Sequence, residues 1–497
     1  MELCKEYKSM NRNEKKEYLN ESFETDFQLN LPQYLDDIEK LVKCCVKNVV
    51  CDYEINSSKI TVFGKSIISI MYLNSDMCPL SNVFEEEFSK SFDLSSDDNL
   101  CFADVNLSTK YYNFRLINQR RIDVHASLNA HICVFCKNTS RYLSNCKNAF
   151  VRSCVVDSLA DKSCGICGAE FDETFSVAGE NSRIKNIINT FVNTIVEDKK
   201  IIKDKMLVKL RCEANVLYTN EKDELEKSSH SFSLSKIIEA SECEEEDKAF
   251  VFATVSKLYV KAKTNANNVL CDIELVGKIS ISYKLFSVEK SEFITDSYIP
   301  HFDSSLESST IEIKKNPQFF FDDKTDEMLF ECDKNIVEIV DLKAEITSCR
   351  VEKSVMYAQV LLSFIYYDDT SQLCSYEKSR ELSFTLSDVE ADGEGSAVLK
   401  SYDFVIKNTD RVSLRINFEY SAYLYSIERV SYLSDIESNG ERSSINSPQL
   451  TLYFADKNEN VWDIAKSFST DVDLIMQENE LSSEILDAKR VLLVPGM

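Results

Sequence analysis

Three stretches of the chain alternate apolar and polar residues in the same way: KITVFGKSIISIMYLNSD, DKMLVKLRCEANVLYTNE and EKSVMYAQVLLSFIYYDD. Each run closes on a tyrosine, Tyr72, Tyr218 and Tyr366, spaced 146 and 148 residues apart. One phase holds Ile60, Val62, Ile68 and Ile70 in the first copy. It holds Met206, Val208, Ala214 and Val216 in the second, and Met356, Val360, Leu362 and Phe364 in the third. A period of two marks a strand with one buried face. After each tyrosine come a charged turn and a second short strand pattern: EEEFSKSFDL, SHSFSLSKII and SRELSFTLSDV. A longer hairpin follows, and its second strand alternates from Ile122 to Ile132, from Val269 to Ile281 and from Val412 to Leu424. The other face is mostly polar, as in Asp123, His125, Ser127, Asn129 and His131, which fits antiparallel sheet wet on one side. Asn-rich turns (LINQRR, TNANN, KNTDR) suit tight reversals. The lead-ins LPQYLDDIEKLVK, ENSRIKNIINTFV and DKNIVEIVDLKAE read as short apolar segments that close one end of each sheet.

The pattern therefore predicts a mainly β chain with three antiparallel all-β repeats, at 26–140, 178–300 and 334–430. It leaves a tail at 1–25, a Cys-rich linker at 141–177 and linkers at 301–333 and 431–449. Beyond these the period changes. LTLYFA is a strand, and Asn460 is a good N-cap with Asp463 three residues on. Val461, Ile464, Ala465 and Phe468 then recur on one helical face. Thr470 is the expected cap of a second helix that buries Val472, Ile475 and Met476 and ends near Asn479; VLLVP closes the module as a strand. Residues 450–497 thus read as a small α+β unit of order βααβ. Trp462, the only tryptophan, lies one position off the apolar stripe. Two readings stand: a large group flanking a core too small to spare it, or an aromatic anchor at a partner surface.

Composition narrows the function. A formal net charge of −26 over 497 residues opposes binding to nucleic acid or anionic lipid. The apolar runs are far shorter than the roughly 20 residues of a membrane helix. The first residues lack the apolar run of a secretory signal, so the eighteen cysteines are expected to be reduced thiols in a cytosol. CVFC (Cys133, Cys136) and CGICG (Cys164, Cys167) could together make a thiolate zinc site, with Gly165 and Gly168 turning the knuckle. Plain reduced thiols are the preferred reading, and no metal or cofactor is expected. Gly64-Lys65-Ser66 lacks the upstream glycine of a phosphate loop, since Lys59 stands there. No nucleophile elbow, zinc-protease helix or dinucleotide glycine run occurs, so the chain is not expected to be an enzyme.

The entry LPQYLDDI, the strand ends IMYLN, VLYTN and IYYDD, and the final long hairpins resemble the SPOCS domain of spore-coat morphogenetic proteins. The C-terminal unit resembles the LysM module. That family's loop-and-helix signature, Gly-Asp-Thr-Leu-Trp-x-Ile-Ala, stands here as Asn458, Glu459, Asn460, Val461, Trp462, Asp463, Ile464 and Ala465. The family's asparagine after the second helix is Asn479, and its closing Leu-x-Ile-Pro runs from Leu492 to Pro495. Three SPOCS-like repeats before one LysM module resemble the SipL-like and stage VI sporulation protein D-like families. The resemblance implies a non-enzymatic scaffold in the mother-cell cytoplasm at the forespore surface. It implies binding of the spore-coat basement ATPase, stage IV sporulation protein A, and other coat proteins, through a LysM surface of Asn458, Glu459, Asn460, Trp462, Asn479, Ile485 and Leu486. The rival expectation is a cell-envelope protein whose LysM groove holds N-acetylglucosamine units of peptidoglycan. The carboxylate of Glu459 and the altered loop speak against sugar.

Overall fold

The computed structural model describes residues 3–496 apart from 57, 96–99, 178–182, 241–242, 266 and 442–448. The chain is mainly β, and each repeat contains six strands. In unit 1, β1 (Cys4–Asn30) precedes a meander of β2 (Lys40–Asn56), β3 (Lys59–Leu73) and β4 (Pro79–Asp93), followed by the hairpin β5 (Leu100–Asn118) and β6 (Arg121–Lys147). Unit 2 repeats the order with β7 (Phe150–Ser176), β8 (Asn186–Ile202), β9 (Lys205–Thr219), β10 (Leu225–Glu239), β11 (Lys248–Thr264) and β12 (Leu270–Tyr298). Unit 3 holds β13 (Phe302–Glu331), β14 (Ile336–Glu352), β15 (Val355–Asp368), β16 (Leu373–Thr385), β17 (Asp392–Asn408) and β18 (Arg411–Glu441).

All pairings are antiparallel. In each unit the tyrosine-ending strand is the middle of the meander, while the long last strand lies between the opening strand and its hairpin partner. The two sheets of a unit face each other. Val208, Leu210 and Val216 meet Ile273, Leu275 and Ile281 in unit 2, and Val360 and Leu362 meet Leu414 and Ile416 in unit 3. Every one of these is fully buried. Each such side chain contributes roughly 1.5–3 kcal/mol on leaving water. That is why the two-residue period was so legible.

Three expectations change. The tail 1–25 and the segments 141–177 and 301–333 are not linkers, because they hold β1, β7 and β13, which pair along the long last strands β6, β12 and β18. Residues 431–441 continue β18, and 442–448 lie outside the described residues. The lead-ins do more than close a sheet end: Leu31, Ile38 and Ile184 are buried and bond to the hairpin turns at Arg120, Gln119 and Leu270, but the later lead-in residues become the first meander strands β2, β8 and β14. Gly64-Lys65-Ser66 lies within a strand, as the alternation predicts: it sits inside β3, where Gly64 gives room to the ring of Phe88.

The units close into a ring: β4 packs on β8, β10 on β14 and β16 on β2. Met71, Leu217 and Ile365, each directly before its tyrosine, share one cluster with Val42, Ile188 and Leu373. Alternation stops there because both faces of each middle strand are covered. The three meander turns are also alike. The side-chain oxygens of Asn74, Asn220 and Asp368 each accept two backbone N–H groups of the turn. The left-handed position falls to Met77 (φ 61°), Asp223 (φ 63°) and Ser371 (φ 57°). Side-chain bonds of this kind offset the cost of αL at non-glycine residues.

Beyond the sandwiches, the strand pairs β1/β6, β7/β12 and β13/β18 run on as three two-stranded ribbons forming a stem. One aromatic from each ribbon meets at its centre: ring centroids of Tyr142 and Phe293 are 5.2 Å apart, Phe293 and Tyr432 5.7 Å, and Tyr142 and Tyr432 6.3 Å. Leu143, Ile294 and Leu433 form the next layer. After it every ribbon bulges by one residue, which leaves Asn145, Asp296 and Asp435 at matching positions.

Candidate functional site

The C-terminal module comprises β19 (Leu450–Ala455), α1 (Val461–Phe468), α2 (Val472–Glu478) and β20 (Arg490–Pro495), with the two strands antiparallel. Asn460 caps α1 by accepting the Trp462 backbone N–H at 3.0 Å. Asp471, not Thr470, caps α2 by accepting the Asp473 N–H. Its carboxylate suits the positive end of a helix better than a hydroxyl. Thr470 is instead fully buried.

The expected surface residues divide. The loops 456–460 and 480–487 zip together through backbone bonds: Asn458 N–H to the Leu486 carbonyl (2.9 Å), Leu486 N–H to the Glu459 carbonyl (3.0 Å) and Val461 N–H to the Glu484 carbonyl (2.8 Å). A bridge joins Asn460 to Ile485. Asn458 stands at φ 70°, the left-handed conformation that asparagine tolerates where the LysM signature has glycine. The Glu459 carboxylate accepts from the Tyr453 hydroxyl and the Asp456 N–H, so it is tied into its own loop. Leu486 is buried, while Ile485 is exposed. Asn479 is apart from these. Its amide donates to the Ile475 and Leu493 carbonyls and accepts the Leu493 N–H, all at 2.7 Å, which clamps α2 to β20.

Trp462 is only 6% exposed, and what covers it is the stem. Its indole N–H donates to Asp296 at 2.7 Å, and Lys466, one helical turn on, donates to the other oxygen of that carboxylate at 2.7 Å. The Tyr298 ring meets the indole edge-on at 5.1 Å, and the Tyr298 hydroxyl donates to the Thr470 carbonyl at 2.6 Å. Arg152 lies over the indole and pairs with Glu484 at 3.5 Å. Burial opposes ionisation of Asp296, but the bonds from Lys466 and Trp462 outweigh it and hold the carboxyl below its ordinary range. Asp296, Tyr298 and Arg152 escaped the sequence reading. The only signal was positional: Asp296 occupies the place of Asn145 and Asp435 in the repeat.

The outward face of β19 and β20 is apolar and open. Leu450, Leu452, Phe454 and Val491 are all exposed, Phe454 by 78%. Tyr453, Ala455, Leu492 and Val494 of the same strands line the module's core.

The cysteine pairs look different from a zinc knuckle. Cys164 and Cys167 lie on β7 opposite Lys284 and Ile281. Gly165 and Gly168 make room for the Tyr283 and Lys278 side chains rather than turning the chain. Cys133 and Cys136 lie on β6. Among the described residues no group of three or more His, Cys, Asp or Glu side chains is placed to hold a metal ion. The seventeen described cysteines form no disulfide. No helix among the described residues is long and apolar enough to cross a membrane.

Residues 183–263 match the family model described as SipL, SPOCS domain, and residues 456–495 match that of the LysM domain. The chain pairs a SPOCS domain with a LysM domain. The SPOCS match covers β8 to β11, the meander and hairpin edge of unit 2. Units 1 and 3 have the same strand order. No curated protein and no solved structure matches the chain. SPOCS and LysM are non-catalytic domain families, and their pairing supports a sporulation-associated LysM protein.

Proposed function

We propose that this protein is a non-enzymatic scaffold of spore-envelope assembly. It acts in the mother cell at the forespore surface, where its LysM module binds the coat-basement ATPase, stage IV sporulation protein A, and so ties coat layers to that surface. The observation that carries this reading is the presence of SPOCS and LysM in one chain, with the module's loops 456–460 and 480–487 bonded to each other. The backbone donors of Asn458, Val461 and Leu486 are bonded within the module and not free for sugar hydroxyls. The module's nine acidic against four basic residues, and the apolar face of Leu450, Leu452, Phe454 and Val491, suit a protein surface better than a neutral glycan.

The test is capture of the purified ATPase by the full chain, beside sedimentation with peptidoglycan and binding of chitin oligomers. Capture that falls at least tenfold in the double variant Leu452→Glu/Phe454→Glu supports the reading. Tight chitin binding without ATPase capture refutes it in favour of the glycan reading.

A further inference from the structure

The stem repeats one device twice. At the bulge of the third ribbon, Asp435 accepts bonds from Lys5 and from the Tyr7 hydroxyl, both at 2.7 Å. At the matching bulge of the second ribbon, Asp296 accepts bonds from Lys466 and from the Trp462 indole, both at 2.7 Å. In each case a lysine and an aromatic N–H or O–H share one carboxylate. The first pair comes from the first ribbon and holds the stem together. The second comes from the LysM module, so the module takes the place that a neighbouring ribbon takes at Asp435.

This contact is built rather than incidental. Tyr298, two residues after Asp296, is 3% exposed and packs on both Phe150 and Trp462, and it caps the contact with its bond to the Thr470 carbonyl. Tyr298 is counted in the same apolar cluster as Val461, Ile464, Ala465 and Leu492, so the stem completes the LysM core. The tryptophan that belongs to the LysM signature is spent on the module's own chain.

We propose that the Trp462–Asp296–Lys466 contact is a latch that seats the LysM module on the second ribbon and withholds its tryptophan face from partners. A partner that needs that face has to displace the ribbon, and it needs a comparable acceptor beside an aromatic group to do so. The part concerning partners rests on the function proposed above; the latch does not.

Because Trp462 is the only tryptophan, its fluorescence reports the latch directly in the full-length protein. Acrylamide quenching of the wild type should be slow, as for a buried indole. Asp296→Ala removes the acceptor of both bonds. Loss of one bond to a charged group shifts such an equilibrium roughly 10- to 100-fold, so quenching should rise several-fold with an unchanged far-ultraviolet spectrum. Lys466→Ala should move it less and in the same direction, and it serves if Asp296→Ala does not fold. Wild-type quenching typical of an exposed indole, or no change in either folded variant, overturns the latch. Asp296→Ala should also bind the coat-basement ATPase more tightly than the wild type. Released quenching with unchanged affinity overturns the withholding of the face, even where Leu452→Glu/Phe454→Glu still abolishes capture.

Discussion

Replacing Phe293 with alanine removes one of the three rings that meet at the centre of the stem. Phe293 is 1% exposed and touches Tyr142 and Tyr432, one from each of the other two ribbons. An isolated two-stranded ribbon is marginal in water, so cohesion of the stem rests on this layer and on Leu143, Ile294 and Leu433 beside it. Truncating a buried phenylalanine costs about 3–5 kcal/mol, which includes about 0.5–1.5 kcal/mol for each aromatic pair. The open population of the stem should therefore rise on the order of 10²- to 10⁴-fold. The sandwich cores are separate clusters and should not share the loss. Amide hydrogen exchange read by mass spectrometry distinguishes the two: protection should collapse in peptides from 286–298 and 427–441 and persist in β3, β9 and β15. Asp296 lies three residues beyond Phe293, so Trp462 quenching should increase as well. Val155→Ala, on the exposed side of β7, is the control and should stay within about 0.5 kcal/mol of the wild type. Unchanged stem protection in Phe293→Ala, or an equal loss in β9, would show that the stem is not a cooperative unit held by this triad.

Asn479→Ala removes three hydrogen bonds worth about 0.5–1.5 kcal/mol each, so local exchange in α2 and β20 should speed up by at least tenfold while the stem keeps its protection; unchanged rates would deny Asn479 its clamping role. Asp296 has a lowered carboxyl pKa, so its contribution to the latch is present above the ordinary carboxylate value of about 3.9 and is lost as pH falls through the lowered one. Quenching of Trp462 should stay flat from neutral pH to about 5 and rise only below about 4, and a midpoint near 6 would assign the change to a different group. Thiol titration of freshly lysed, denatured protein should find all eighteen cysteines reactive, and a substantial shortfall would contradict the reduced state expected of them.

What could be read from the sequence followed from how completely one strand face is buried. β3, β9, β15 and the first halves of β6, β12 and β18 are central strands that turn one face onto the opposite sheet, so nearly every second residue is apolar, with buried Ser66 an exception, and the pattern is visible without a structure. β1, β7 and β13 escaped because they pair along one side only for nearly all of their length, and the ribbons they form with β6, β12 and β18 bulge. In β7 the burial pattern loses its period around Lys162–Gly168, which left the segment looking like a Cys-rich linker. The βααβ order and the Asn460 cap were both legible, since each is decided by residues within one or two turns. The Thr470 cap was not, because Asp471 beside it is an equally local and stronger candidate.

Trp462 shows where local reasoning ends. Its position one step off the apolar stripe put it at the margin of the small core. That left it either a flanking group or an anchor on a partner. The structure gives it both parts: it packs with Val461, Ile464 and Ala465 in the module core, and its indole N–H is held by a partner that lies 166 residues earlier in the same chain. No period or motif around Asp296 announces this, for an aspartate after a bulge is unremarkable in a chain with 83 acidic residues. Only the alignment of the three ribbons singles it out, by placing it level with Asp435 and its Lys5–Tyr7 pair. The repeat architecture that the hydrophobic pattern revealed is thus also the frame that identifies the seat of the LysM module.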